Sequence, residues 1–163
     1  MRTLQVGEQR YRADYGRYLE DFTVGDVYEH RPGRTITETD NIQFSLLTMN
    51  QHPLHCDRGF AEQSQFGKPL VCSPLTLAVV VGLSVNDVSG KAIANLGWND
   101  INLVAPVFPG DTLYAESEVL AIRESKSDPS RGVVTVKTRG FNQDEKEVIN
   151  FVRSALVPKR PVT

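Results

Sequence analysis

Cysteine is scarce and scattered. Cys56 and Cys72 are the only two, too few for a disulfide scaffold and without a zinc-binding pattern. Charge of one sign is scarce as well: a formal net charge of −2 argues against a general nucleic-acid surface. No apolar run reaches the ~20 residues that a bilayer-spanning helix needs. The polar stretch from Met1 to Tyr18 contains no signal-peptide core, so cytoplasm is the default expectation and no membrane partner is expected. Histidine occurs three times, and no second Cys/His cluster joins the pair at 52 and 55, so no metal site is expected. What is present is ordinary for a globular protein: 163 residues, 40% apolar and 23% charged. The chain reads as one domain over residues 1–163, with residues 1–17 as a polar N-terminal arm.

Two of the three histidines fall in Thr48-Met49-Asn50-Gln51-His52-Pro53-Leu54-His55-Cys56-Asp57. Pro53 fixes its own φ and pushes His52 away from the α region, so this is a shaped turn. An imidazole with an unperturbed pKa of about 6.5, set beside amide and acid groups, suits general acid–base chemistry. Two surface histidines in a loop fit these ten residues equally well.

Thr37-Glu38-Thr39-Asp40 reads as a capping box before a helix ending near Asn50, with Ile42, Leu46 and Met49 on its apolar face. A short helix follows over Phe60 to Ser64, and a strand from Val27 to Arg31, containing a solitary His30, breaks at Pro32-Gly33. The run from Ser73 to Val85 is apolar on nearly every side. With Ser73 as N-cap and Pro74 as first helical residue it reads as a helix buried nearly all round. Ala92 to Val104, Thr112 to Arg123, Gly132 to Asn142 and Glu147 to Val157 read as strands. In the second of these, Leu113, Ala115, Val119 and Ala121 alternate with Glu116 and Glu118, the mark of a half-solvated antiparallel sheet. The fold class is α+β: a curved antiparallel β-sheet wrapped around a buried central helix. Arg139 and Arg153 are set aside as charges on solvated strand faces, and Trp98 and Phe108 as core or interface aromatics.

These residues carry a family resemblance. Asn50-Gln51-His52-Pro53-Leu54-His55-Cys56-Asp57 resembles the Asp-x-Asn-Pro-Leu-His-x-Asp motif of the MaoC-like dehydratases, the (R)-specific enoyl-CoA hydratase group of the hot-dog fold. The resemblance continues at Phe22-Thr23-Val24-Gly25-Asp26, Phe66-Gly67-Lys68-Pro69-Leu70-Val71 and Pro106-Val107-Phe108-Pro109-Gly110-Asp111-Thr112-Leu113, spanning residues 16 to 158. Ala92 to Trp98 and Asn142-Gln143 are similar to a branch acting on C5-dicarboxyl thioesters such as mesaconyl-CoA and itaconyl-CoA.

The resemblance implies a single hot-dog domain that hydrates an enoyl-CoA thioester, with CoA as part of the substrate and no separate cofactor. It implies a homodimer or higher homo-oligomer. His55 falls on the catalytic His, but Asn50 stands where the family has its catalytic Asp, and His52 where it has Asn. An amide cannot exchange protons as a carboxylate does, so Asn50 is cast as orienting water or a substrate oxygen. Three replacements for the missing acid stay open: His55 working alone with water, His52 as the acid–base group, or Asp57 or Asp40 nearby, neither of which matches the family's catalytic position. On the substrate side the resemblance points to the Ser73 amide as oxyanion donor, with Cys72 next in line, and to Asp57 nearby. A plain N-cap reading of Ser73 stands beside this. A non-catalytic acyl-CoA-binding subunit and an acyl-CoA thioesterase are the alternative functions.

Overall fold

A computed structural model describes residues 2–161. Met1, Val162 and Thr163 lie outside the described residues. Most of the stretch expected as an arm forms a hairpin, β1 (Arg2–Gly7) and β2 (Arg10–Asp14). A single 3₁₀ turn (Leu19–Asp21) leads into the main sheet.

That sheet has five antiparallel strands in the order β3 (Val27–Thr35), β5 (Thr112–Glu124), β6 (Arg131–Phe141), β7 (Glu147–Pro158) and β4 (Ala94–Leu103). The expected alternation holds through the first half of β5, where Leu113, Ala115, Ser117 and Val119 are buried. A register shift between Val119 and Ala121 then turns Ala121 outward. β3 does not break at Pro32-Gly33: a register shift between His30 and Arg34 absorbs both residues, and pairing with β5 resumes to Thr35. An irregular register of this kind lets an edge strand carry a proline that a regular ladder would reject.

Between β3 and β4 lie α1 (Glu38–Leu47), α2 (Pro53–Cys56), α3 (Arg58–Glu62) and α4 (Ser73–Leu83), the last followed by a π-helical turn (Val85–Ser89). The capping box forms as read: the Asp40 N–H donates to Thr37 Oγ1 at 3.0 Å, and Asp40 Oδ2 accepts the Thr37 N–H at 2.8 Å. The inward face of α1 differs from the expected one. Asn41 and Ser45 are buried, whereas Leu46 and Met49 are 71% and 80% exposed. The reason is polar: Asn41 reaches backbone groups of three other chain positions, and those bonds fix the helix's rotation.

The start of α4 also differs by one residue. Cys72 is the N-cap, Ser73 the first helical residue and Pro74 the second, and no side chain caps the helix. The helix is not buried all round: Leu75, Thr76 and Val80 face the sheet, while Pro74, Ala78 and Gly82 are exposed, because one five-stranded sheet covers only one side.

Two apolar clusters fill the concave face. One lies under α4 and includes Leu75, Val80, Leu113, Ala115 and Phe151; the other, including Leu19, Val88, Val119, Val136 and Ala155, lies toward the opposite strand ends. A polar belt separates them, one residue per strand: His30, Ser117, Thr138 and Arg153. His30 Nδ1 lies 3.0 Å from Asp87 Oδ2, and Nε2 lies 2.8 Å from Ser117 Oγ, which is itself 2.8 Å from Thr138 Oγ1. A carboxylate only accepts, so Nδ1 carries the proton and Nε2 accepts from the serine. Arg153, expected on a solvated face, is 2% exposed and donates to Ser84 Oγ at 2.9 Å, near the carboxyl end of α4. Its charge there suits the negative end of the helix dipole.

Candidate active site

The histidine turn begins where α1 ends. Met49 takes a left-handed φ of 57°, and the Asn50 N–H closes back on the Ser45 carbonyl at 2.9 Å, a Schellman-type ending. Asn50 then shapes the turn with its own side chain, since Oδ1 accepts the His52 N–H at 3.3 Å. Its Nδ2 points to the buried Cys72 Sγ at 3.6 Å. His52 caps α2, its Nδ1 accepting the Leu54 N–H at 3.2 Å. That bond leaves the proton of a neutral His52 on Nε2.

His55 sits within α2, half-buried, and its Nδ1 lies 2.9 Å from the Leu70 carbonyl oxygen. A carbonyl can only accept, so Nδ1 carries the hydrogen and a neutral ring has its lone pair on Nε2. The two imidazole rings are 5.8 Å apart, with the His52 ring edge-on to Phe60.

The segment that holds His55 continues directly into α4. Within the first turn of that helix, the Cys72 N–H is taken by Asn41 Oδ1 at 2.8 Å, and the Leu75 and Thr76 N–H groups turn back on the Cys72 carbonyl. Pro74 has no N–H. The Ser73 N–H, first in the helix, therefore has no intrahelical acceptor and is the donor free to meet a ligand. Cys72, expected as next in line for that role, is already committed to Asn41.

A cleft of about 280 Å³ opens beside it, lined by Phe66, Leu70, Val71, Ser73, Thr76 and the segment from Leu103 to Val107. Leu70 is shared: it lines this cleft and its carbonyl holds the His55 ring. The lining is apolar except for the Ser73 and Thr76 hydroxyls, suiting an acyl group beside a polarised carbonyl.

Of the residues singled out from sequence, Asn50, His52, His55, Cys72 and Ser73 are thus joined through the turn and the start of α4. Asp57 plays a local part: Oδ1 accepts the Phe60 N–H at 3.0 Å and caps α3. Asp40 is occupied by the α1 capping box and Arg34. Among the described residues, no three His, Cys, Asp or Glu side chains converge as a metal site. Sequence reasoning missed Asn41, Leu70 and Thr76. Leu70 acts through its backbone, and Asn41 carries only the weak signal of an amide on a helix with abundant apolar residues.

A curved antiparallel sheet around one helix, with a histidine turn feeding that helix, defines a hot-dog protein of the MaoC-like dehydratase type. A Mycobacterium tuberculosis protein described as a double hot-dog fold superposes with a TM-score of 0.83 at 24% identity, over 91% of this chain and 46% of that one. The MaoC-like dehydratase of Rhodospirillum rubrum aligns at 30% identity and a TM-score of 0.79, over 90% of this chain and all (100%) of that one.

The chain belongs to the mesaconyl-CoA hydratase family, whose sequence profile matches residues 3–163. It is 36% identical over 149 residues to the mesaconyl-CoA hydratase of Cereibacter sphaeroides. That match covers 91% of this chain and 43% of the relative, so the chain spans less than half the relative's length.

Proposed function

We propose that this chain is a hydratase that adds water reversibly across the double bond of a short, branched or C5-dicarboxylic enoyl-CoA thioester of the mesaconyl-CoA type. The observation that carries this reading is the shared Leu70 segment. It fixes the His55 ring through its carbonyl and leads within three residues to the free Ser73 amide. Base and oxyanion donor are thereby held by one short piece of chain.

In this reading His55 Nε2 takes a proton from water while the water oxygen attacks Cβ. The electron pair of the double bond moves toward the thioester oxygen, where the Ser73 N–H stabilises the enolate-like charge. The proton then reaches Cα from His55 Nε2, which returns that ring to its neutral form, while the Nε2–H of His52 contributes a hydrogen bond and no proton. Asn50 Nδ2 contributes orientation and no proton. CoA enters as part of the substrate, without a separate cofactor. Assembly as a homodimer completes the proposal, since the cleft is bordered by the open edge at Leu103 and Val104.

Loss of enoyl-thioester absorbance with crotonyl-, mesaconyl- and itaconyl-CoA tests the reading, with His55→Ala alongside. Turnover on a C5 ester that falls about 10²- to 10⁴-fold in the variant is the expected result. Asn50 supports one other reading, a non-catalytic acyl-CoA-binding subunit, because an amide occupies the family's carboxylate position. Binding of CoA esters by folded protein without turnover on any of them would move the assignment there.

A further inference from the structure

Asn41 is a buried polar residue beside the site that the chemistry above leaves unused. It is 0% exposed, and burying an amide is costly unless its hydrogen-bonding groups are satisfied. The described bonds satisfy both ends of it. Nδ2 donates to the His55 carbonyl at 2.9 Å and to the Leu70 carbonyl at 3.0 Å, and Oδ1 accepts the Cys72 N–H at 2.8 Å. The amide's orientation follows from its partners, since two carbonyls require the NH₂ end and an N–H requires the oxygen. One side chain therefore ties together the histidine turn, the segment that holds the histidine ring, and the N-cap of α4.

Resting on the hydratase reading, we propose that Asn41 is a positioning residue that couples the general base to the oxyanion donor. Toward the base, it anchors the same Leu70 carbonyl oxygen that receives His55 Nδ1–H. A carbonyl held in place by one donor keeps its second lone pair aimed at the ring, which holds the His55 lone pair on Nε2. Toward the donor, Asn41 withdraws the Cys72 N–H, and Pro74 offers none, so the Ser73 N–H is left as the donor at the helix start. Asparagine is suited to this because it combines two donors and one acceptor at the required reach. Aspartate keeps the acceptor and loses both donors; alanine removes this partner from the His55 carbonyl and the Cys72 N–H and leaves the Leu70 carbonyl with the His55 ring alone.

Asn41→Asp is the decisive variant because it is nearly isosteric, with Asn41→Ala as the second. The measurements are kcat and KM on the preferred ester at several pH values, thermal melting, and ¹⁵N spectra of the histidine rings. With three histidines in the chain, His55 is assigned by its absence in His55→Ala. In the unsubstituted protein His55 shows a protonated Nδ1 and a bare Nε2.

In folded Asn41→Asp the two nitrogens move toward averaged tautomers and kcat drops about 10- to 100-fold, the scale of a misplaced reacting group, while KM changes less than about threefold. The ratio of variant to unsubstituted kcat recovers as pH is lowered, because a protonated carboxyl can donate one of the lost bonds. A folded Asn41→Asp with His55 still in the Nδ1–H form overturns the proposal, whatever its kcat. If the unsubstituted protein turns over no ester, the hydratase reading fails separately, and the tautomer comparison still decides whether Asn41 sets the His55 ring.

Discussion

His30 and His55 both donate through Nδ1, to the Asp87 carboxylate and to the Leu70 carbonyl respectively. His55 keeps Nε2 free of any described protein partner, whereas His30 spends both nitrogens inside the belt and is 0% exposed. Burial holds the His30 pKa below its ordinary 6.5, against an opposing pull from Asp87, and Arg153 adds to the lowering. A lowered folded-state pKa means the unfolded chain binds more protons as pH falls below about 6.5. The stability His30 contributes in its neutral form is therefore present above that pH and lost as pH falls from it toward the lower folded-state value. Urea unfolding at pH 5, 6 and 7 should give a free energy that declines toward pH 5. His30→Gln should remove up to about 1.4 kcal/mol per pH unit from that slope, one proton's worth. An unchanged slope in the variant would show that other groups set it.

Each element was legible in proportion to how local its determinants are. The capping box of α1, the proline-bounded start of α4 and the long strands rest on residues within a few positions of one another, and they formed with boundaries shifted by one or two residues. The rotation of α1 depends on bonds from Asn41 to residues 14, 29 and 31 positions away. No periodicity reveals those, so the spacing of Leu46 and Met49 points to the wrong face of the helix. The belt needed four strands in register before His30 and Arg153 could be seen as partners in one interior layer. In the site, the histidine turn was plain from its residues, but the backbone carbonyl that orients His55 was not.

The seating of α4 on β6 is equally non-local and rests on Gly140. A Cβ there would lie 2.7 Å from Val80 Cγ2 and 2.8 Å from Ile149 Cγ2. Gly140→Ala should cost about 1–3 kcal/mol, the usual penalty for overpacking a core, measured by urea unfolding. Full stability in that variant would mean that the helix can shift on the sheet without loss.

In the molecule as a whole, the five-stranded sheet ends in two edge strands, β3 and β4, and β4 is the one that borders the cleft. Among the described residues β4 pairs only with β7, so its other edge offers backbone groups without a strand partner there. Ile93, Leu96, Trp98, Ile101, Leu103 and Val104, on or beside that strand, are each between 43% and 52% exposed. Clustered apolar exposure of this kind marks an interaction surface, and Leu103 and Val104 also line the cleft beside Ser73. A second copy applied to this edge would pair the open strand, bury the apolar side chains and wall the cleft in one step. Burying a large apolar side chain is worth about 1.5–3 kcal/mol, so a few such contacts from each copy can offset the cost of association. Light scattering should therefore give twice the 18.2 kDa chain mass. Trp98→Lys, which places a charge on the edge and leaves the described monomer core untouched, should shift the protein to the single-chain mass. If the cleft needs its second wall, kcat/KM should fall at protein concentrations where the variant is monomeric and rise again with concentration. A single-chain mass for the unsubstituted protein at full activity would overturn the dimer and make the exposed edge a surface for some other partner.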